Sequence, residues 1–127
     1  MIYGIGVDEV EVARMAKVLE RTPTFRQRSF TDAESDYADR VPGLAAERFA
    51  VRFAAKEAVL KAMGLGIGAC KWREIEVARD PESQRPWIEL HGAAVELAAE
   101  RGIARWHLSM SHTDVRATAY VIAELAG

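Results

Sequence analysis

Residues 49–68, Phe-Ala-Val-Arg-Phe-Ala-Ala-Lys-Glu-Ala-Val-Leu-Lys-Ala-Met-Gly-Leu-Gly-Ile-Gly, constrain this chain more than any other stretch. They read as the end of a long helix, about Leu44 to Met63, running into a glycine-rich loop. On a wheel of about 100° per residue, Phe49, Phe53, Leu60 and Met63 share one apolar face. Ala55, Ala58, Val59 and Ala62 cover much of the opposite side, so the helix is apolar nearly all round and expected to be buried. Glu57 and Lys61 stand beside the large face, in a sector otherwise filled by Ala46, Ala50 and Ala54. Such an alanine track lets a backbone or a ligand come close. Four residues apart on a helix, the acid and the base are neighbours and make an ordinary salt pair. A buried carboxylate is costly, however, unless it is paired or holds a cation. Glu57 is therefore a candidate functional residue.

The other segments are short. Ile2 to Asp8 is an apolar run expected to form a buried strand, and Glu9 to Leu19 a helix. Asp8 at their junction suits either a helix N-cap or a metal- or phosphate-site carboxylate. Between Arg14 and Arg28 the basic residues Arg14, Lys17, Arg21, Arg26 and Arg28 meet only Glu20, with Phe25 and Phe30 interleaved. This is either a solvated face or a docking patch for an acidic partner. Thr31-x-x-Glu34 has capping-box form and opens a short acidic helix to Asp39. Gly64 sits where a glycine ends a helix. The loop Gly64-Leu-Gly-Ile-Gly68 lacks the Walker signature and precedes a strand, so it is a connector or a place where backbone nears a phosphate. Ile75–Ala78 and Trp87–His91 are expected to pair around a turn. A helix follows, Ala93–Arg101, and then a closing hairpin of Trp106–His112 and Val115–Ala123. The fold class is α+β, a mostly antiparallel sheet packed on one long central helix.

Totals exclude several functions. With 127 residues the chain suits a single domain spanning residues 1–127, and its net charge of −2 carries no signature of nucleic-acid binding. Cys70 is the only cysteine, which fits a reducing cytoplasm, and with His91, His107 and His112 it lacks zinc-cluster spacing. No secretory leader or membrane span is expected.

Three separated blocks carry a resemblance. They are Gly6-Val-Asp8 with Val10 and Arg14, then Arg52-Phe-Ala-Ala-Lys56-Glu57-Ala-Val-Leu-Lys61-Ala-Met-Gly64, then Leu108-Ser-Met-Ser-His112-Thr113 with Ala117 and Ala119. In order, spacing and total length the chain resembles the holo-acyl-carrier-protein synthases, the small bacterial 4′-phosphopantetheinyl transferases. Glu9 departs mildly from the pattern, where an aliphatic residue is usual, as does the Ser83–Pro86 turn.

The resemblance implies transfer of phosphopantetheine from coenzyme A to a serine of apo acyl carrier protein, releasing adenosine 3′,5′-bisphosphate. It assigns Asp8 and Glu57 to Mg²⁺ at the coenzyme A pyrophosphate, with Lys61 as the nearby catalytic cation. The general base is left between Glu57 acting through water and Lys61. Around the coenzyme it places Arg52, Gly64, His112 and Thr113; Lys56, on the Phe49 and Phe53 side of the wheel, is expected to reach a phosphate by snorkelling or to meet a neighbouring subunit. The stretch Arg14, Lys17, Arg21, Phe25 and Arg26 resembles the surface that receives the carrier protein. The resemblance also implies a homotrimer with sites between subunits, to which the apolar strand residues Ala117, Ala119 and Val121 lend a hint. A coenzyme A sensor without chemistry and a Mg²⁺-dependent pyrophosphohydrolase remain as other classes.

Overall fold

A computed structural model describes residues 1–127. Strand β1 (Ile2–Glu11) leads into helices α1 (Val12–Arg21), α2 (Pro23–Ser29) and α3 (Asp32–Asp39). The long helix α4 (Ala45–Ala62) follows, then strands β2 (Ile75–Arg79) and β3 (Pro86–Leu90). Helix α5 (Ala93–Glu100) and strands β4 (Ile103–His112) and β5 (Arg116–Leu125) complete the chain. The strands form two antiparallel sheets, β1-β5-β4 and a β2-β3 ribbon. The expected α+β architecture around one central helix is the one observed.

Helix α4 is apolar all round because it is covered all round. Strands β1 and β5 cover one side, and α1, α3 and β2 lie against others. One core gathers Ala54, Ala58, Leu60, Ala62 and Met63 with Ile75, Val77, Ile88, Ala119 and Val121. A second gathers Phe49, Ala50 and Val51 with Val12, Met15, Phe30 and Ala117. Ring contacts run from Phe25 through Phe30 to Phe49, and from Phe53 to Trp72 at 4.8 Å between centroids. Each such pair adds roughly 0.5–1.5 kcal/mol beyond its buried area.

Strand β1 comes unusually close to α4. Its inward residues are Gly4, Gly6, Asp8 and Val10, alternating with outward Tyr3, Ile5 and Val7. A Cβ on Gly4 would overlap the carbonyl of Ala62, and one on Gly6 the carbonyl of Ala58. Strand backbone thus packs on Ala58 and Ala62, further along the helix than the Ala46, Ala50 and Ala54 track. Ala50 and Ala54 are fully buried within the chain, so no ligand reaches those two alanines.

Several expected boundaries shift. Strand β1 runs on to Glu11, which pairs with Arg116, because its alternation continues past Asp8. Asp8 is consequently no helix cap; its Oδ1 accepts the Glu9 N–H at 2.9 Å, and α1 starts only at Val12. The Thr31–Glu34 capping box forms as expected at the start of α3. Gly64 ends the long helix with φ +75°, the left-handed conformation that favours glycine. Ala117, Ala119 and Val121 lie against α4 and are buried within the single chain, so they give no hint of assembly. The exposed apolar face is the other side of the sheet, with Ile5 62% and Tyr120 56% exposed beside Tyr3 and Val7. No helix is long and apolar enough to cross a membrane.

Candidate active site

The close packing of β1 on α4 puts two carboxylates together. Asp8 and Glu57 line one cleft of about 530 Å³ with Arg14, Phe25, Phe53 and Ile67. Burial, then the hydrogen bonding and charge of adjacent Asp8, push the Glu57 carboxyl up to about 7; Lys61 and Arg14 pull it the other way. Lys61 does not form the expected helix salt pair. Its Nζ lies 3.4 Å from Asp8 Oδ1 and donates to the Val7 carbonyl at 3.2 Å. The lysine thus closes one side of Asp8 while Glu57 stands on another. A carboxyl whose ionisation is opposed by burial and by a neighbouring carboxylate suits a hard divalent cation, and Mg²⁺ in particular takes one or two carboxylates.

Arg52 belongs to a different cleft. Five residues along α4 separate it from Glu57, which is about 140° around the axis and about 7.5 Å along it. The second cleft is lined by Arg48, Arg52, Arg79, Tyr37 and His112, and shares no residue with the first. Arg48, Arg52 and Arg79 stack their guanidinium groups on the Tyr37 ring at 4.3–4.5 Å from its centroid. Arg52 is 1% exposed, and its Nε and Nη2 have no partner. Burial first, then Arg79, lower its pKa to about 10. Cations crowded in a concave site with donor capacity to spare fit a phosphate group. His112 sits at the rim, its Nδ1 3.2 Å from Glu47. Thr113 shapes the adjoining turn, its Oγ1 accepting the N–H groups of Val115 and Arg116.

Lys56 is a correction. It faces neither ligand nor solvent: Nζ donates to Glu34 Oε1 at 2.8 Å, to the Trp72 carbonyl at 3.1 Å and to the Ile75 carbonyl. Glu34 in turn accepts the N–H groups of Thr31 and Val77. All three ammonium protons are spent on holding α3 and β2 to α4. Arg26 is partly exposed, paired with Asp39 and stacked on Phe49. Arg14, Lys17 and Arg21 remain exposed on α1, and Phe25 is half-buried between them and the carboxylate cleft. Arg48, Arg79 and Tyr37 were not singled out by sequence, since residues so far apart converge only through the fold. Gly4 and Gly6 carried a readable signal: alternating glycines in a strand opposite alanines spaced by four in a helix.

Residues 4–123 match the 4′-phosphopantetheinyl transferase superfamily. The chain belongs to this family. Its relatives include a holo-[acyl-carrier-protein] synthase of Clavibacter michiganensis, 48% identical over 98% of this chain and 97% of that protein. The crystal structure of holo-[acyl-carrier-protein] synthase from Neisseria meningitidis superposes with a TM-score of 0.87 at 36% identity, covering 98% of this chain and 99% of that one. The synthase from Bacillus anthracis, solved in complex with CoA (3′,5′-ADP), matches with a TM-score of 0.77 at 35% identity over 99% of both chains. As in the family at large, this chain is a phosphopantetheinyl transferase.

Proposed function

We propose that the chain, acting as one domain, is a holo-acyl-carrier-protein synthase that transfers 4′-phosphopantetheine from coenzyme A to a carrier-protein serine. The observation that carries this reading is the meeting of Asp8 and Glu57 through the glycine face of β1. These two carboxylates would hold Mg²⁺, which when bound supplies charge neutralisation at the pyrophosphate.

The remaining roles fall to this chain's own groups. Lys61, paired with Asp8, offers an ammonium to a phosphate oxygen. The serine oxygen forms a bond to the phosphorus bearing pantetheine, and the bond from that phosphorus to the bisphosphate oxygen breaks. Glu57 is positioned to accept the serine proton, directly or through water. Most of the acceleration in phosphoryl transfer comes from positioning and charge. Arg14, Lys17, Arg21 and Phe25 give the acidic carrier a basic surface with an aromatic anchor beside the carboxylates.

The arginine cleft would take the 3′-phosphate of the coenzyme, with His112 and Thr113 at its rim. The two clefts share no lining residue, and Arg52 and Glu57 stand about 140° apart around α4. This supports a homotrimer in which one subunit's carboxylates face a neighbour's arginines. The exposed apolar strip of Tyr3, Ile5, Val7 and Tyr120 supports the same assembly. The single free thiol, Cys70, supports a cytoplasmic setting.

Mass spectrometry of apo acyl carrier protein incubated with the chain, coenzyme A and Mg²⁺ tests the reading. Gain of one phosphopantetheine is expected. Cleavage of coenzyme A without the carrier, or binding with no mass change, would contradict it.

A further inference from the structure

The β2-β3 ribbon carries a group of side chains that the transfer reaction does not use. Antiparallel register sets Glu76 directly opposite Glu89. His91, two residues further along, projects from the same face. One donor atom of each lies within 4.8 Å of the others. His91 Nε2 is 2.8 Å from Glu76 Oε1. The second oxygen of Glu76 accepts the Thr31 hydroxyl at 3.0 Å, which fixes the carboxylate from the α3 side.

Like charges placed directly across a ribbon destabilise it. No lysine or arginine pairs with Glu76 or Glu89. Lys56 feels the Glu76 charge, but its protons go to Glu34 and two carbonyls. Apart from the Thr31 hydroxyl, the imidazole is the side chain matched to the acidic pair. Spacing along the chain gave no zinc signature here, because cross-strand register brings the donors together.

We propose that Glu76, Glu89 and His91 bind a first-row divalent cation, Zn²⁺ above all, at a site separate from Asp8 and Glu57. Two carboxylates and an imidazole make a three-ligand zinc set with a fourth position open. The nitrogen donor favours zinc over Mg²⁺, which prefers oxygen alone. Tetrahedral zinc at its usual bond lengths spaces donors about 3.3 Å apart. His91 is 46% exposed, whereas Glu76 is 13% exposed and held by Thr31, so the imidazole is the ligand that would adjust on binding. Thr31 then acts as the outer-shell partner that orients a ligating carboxylate. The cation would pin the ribbon to the start of α3 and offset the Glu76–Glu89 repulsion.

The test is calorimetric titration of chelator-treated protein with ZnCl₂, in saturating Mg²⁺ to cover Asp8 and Glu57. One Zn²⁺ per chain is expected, with affinity at least tenfold weaker in Glu89→Gln and in His91→Ala. Asp8→Asn should bind Zn²⁺ as the wild type does. Phosphopantetheine transfer in Mg²⁺ should be unchanged in the ribbon variants, and Co²⁺ should show a tetrahedral spectrum that His91→Ala loses. Absence of Zn²⁺ uptake by the wild type overturns the proposal. So does equal uptake by a Glu89→Gln/His91→Ala double variant, or uptake abolished by Asp8→Asn.

Discussion

Gly6 lies so close to Ala58 that a Cβ on the glycine would overlap the alanine carbonyl. Helix backbone cannot move aside without breaking its own hydrogen bonds. Gly6→Ala is therefore expected to push β1 off α4 and cost on the order of 3 kcal/mol. Asp8, two residues on, moves with the strand. Urea unfolding and a transfer assay on the same sample should show stability and activity falling together; a variant with normal values of both would refute the argument.

Stability should depend on Glu57 in a particular pH window. Its carboxyl titrates near 7 in the folded chain against an ordinary value of 4.5. Between these values the folded state holds a proton that the unfolded state releases, so stability falls as pH rises through the window. The benefit is complete below about 4.5 and gone above about 7. At pH 8 Glu57→Gln should be more stable than wild type by on the order of 1 kcal/mol, allowing for the partly solvated carboxylate. Added Mg²⁺ should raise the wild-type melting temperature more at pH 8 than at pH 5. Denaturant curves at both values check this, and a pH-independent difference would count against it.

Lys56 and Glu34 form a buried pair whose members cannot be removed singly. Lys56→Met leaves the buried Glu34 carboxyl without its cation, at a cost of about 3–5 kcal/mol. Replacing both with apolar residues should recover much of that loss. Chemical denaturation of the single and double variants gives the comparison. The surviving folded fraction of Lys56→Met should turn over with a near-normal KM for coenzyme A, which a phosphate-binding lysine would not allow.

Arg52 presents the opposite case. Its buried guanidinium has unpartnered nitrogens and faces other cations. Arg52→Met should hold or raise stability, since an unmatched buried polar group is removed. It should raise KM for coenzyme A at least tenfold, with far less effect on dephospho-coenzyme A. Equal losses with both substrates would remove the 3′-phosphate from the cleft.

Subunit sharing can be read by complementation. Asp8→Asn and Arg52→Met each spoil a different cleft. In a mixed trimer about a quarter of the sites would pair an intact carboxylate cleft with an intact arginine cleft. Activity well above that of either variant alone is expected after unfolding and refolding the two together. Additive activity would place both clefts on one working chain.

The sequence made Glu57 conspicuous, because a carboxylate on a helix apolar all round needs an explanation. Asp8 was less legible: strand and cap look alike until the alternation of β1 is followed past it to Glu11. Lys56 was misread for a physical reason. A lysine one residue from a catalytic candidate looks available, yet its acceptor is Glu34, and that acid was visible only as half of a capping box. The alanine track was read as space for a ligand, but Ala50 and Ala54 are buried in the apolar cores, and the close approach of strand backbone falls on Ala58 and Ala62 instead. The arginine cluster was beyond reach, since Tyr37, Arg48 and Arg79 meet only through the packing of α3 and β2 on α4.

Strand β1 is expected to change over evolutionary time at two speeds. Positions 4, 6 and 8 admit almost no alternative, because two must lack a side chain and the third holds the carboxylate proposed to bind the metal. Positions 3, 5 and 7 need only be apolar, and can exchange one bulky residue for another. Across divergent relatives the strand should read as a fixed column beside a drifting one, residue by residue.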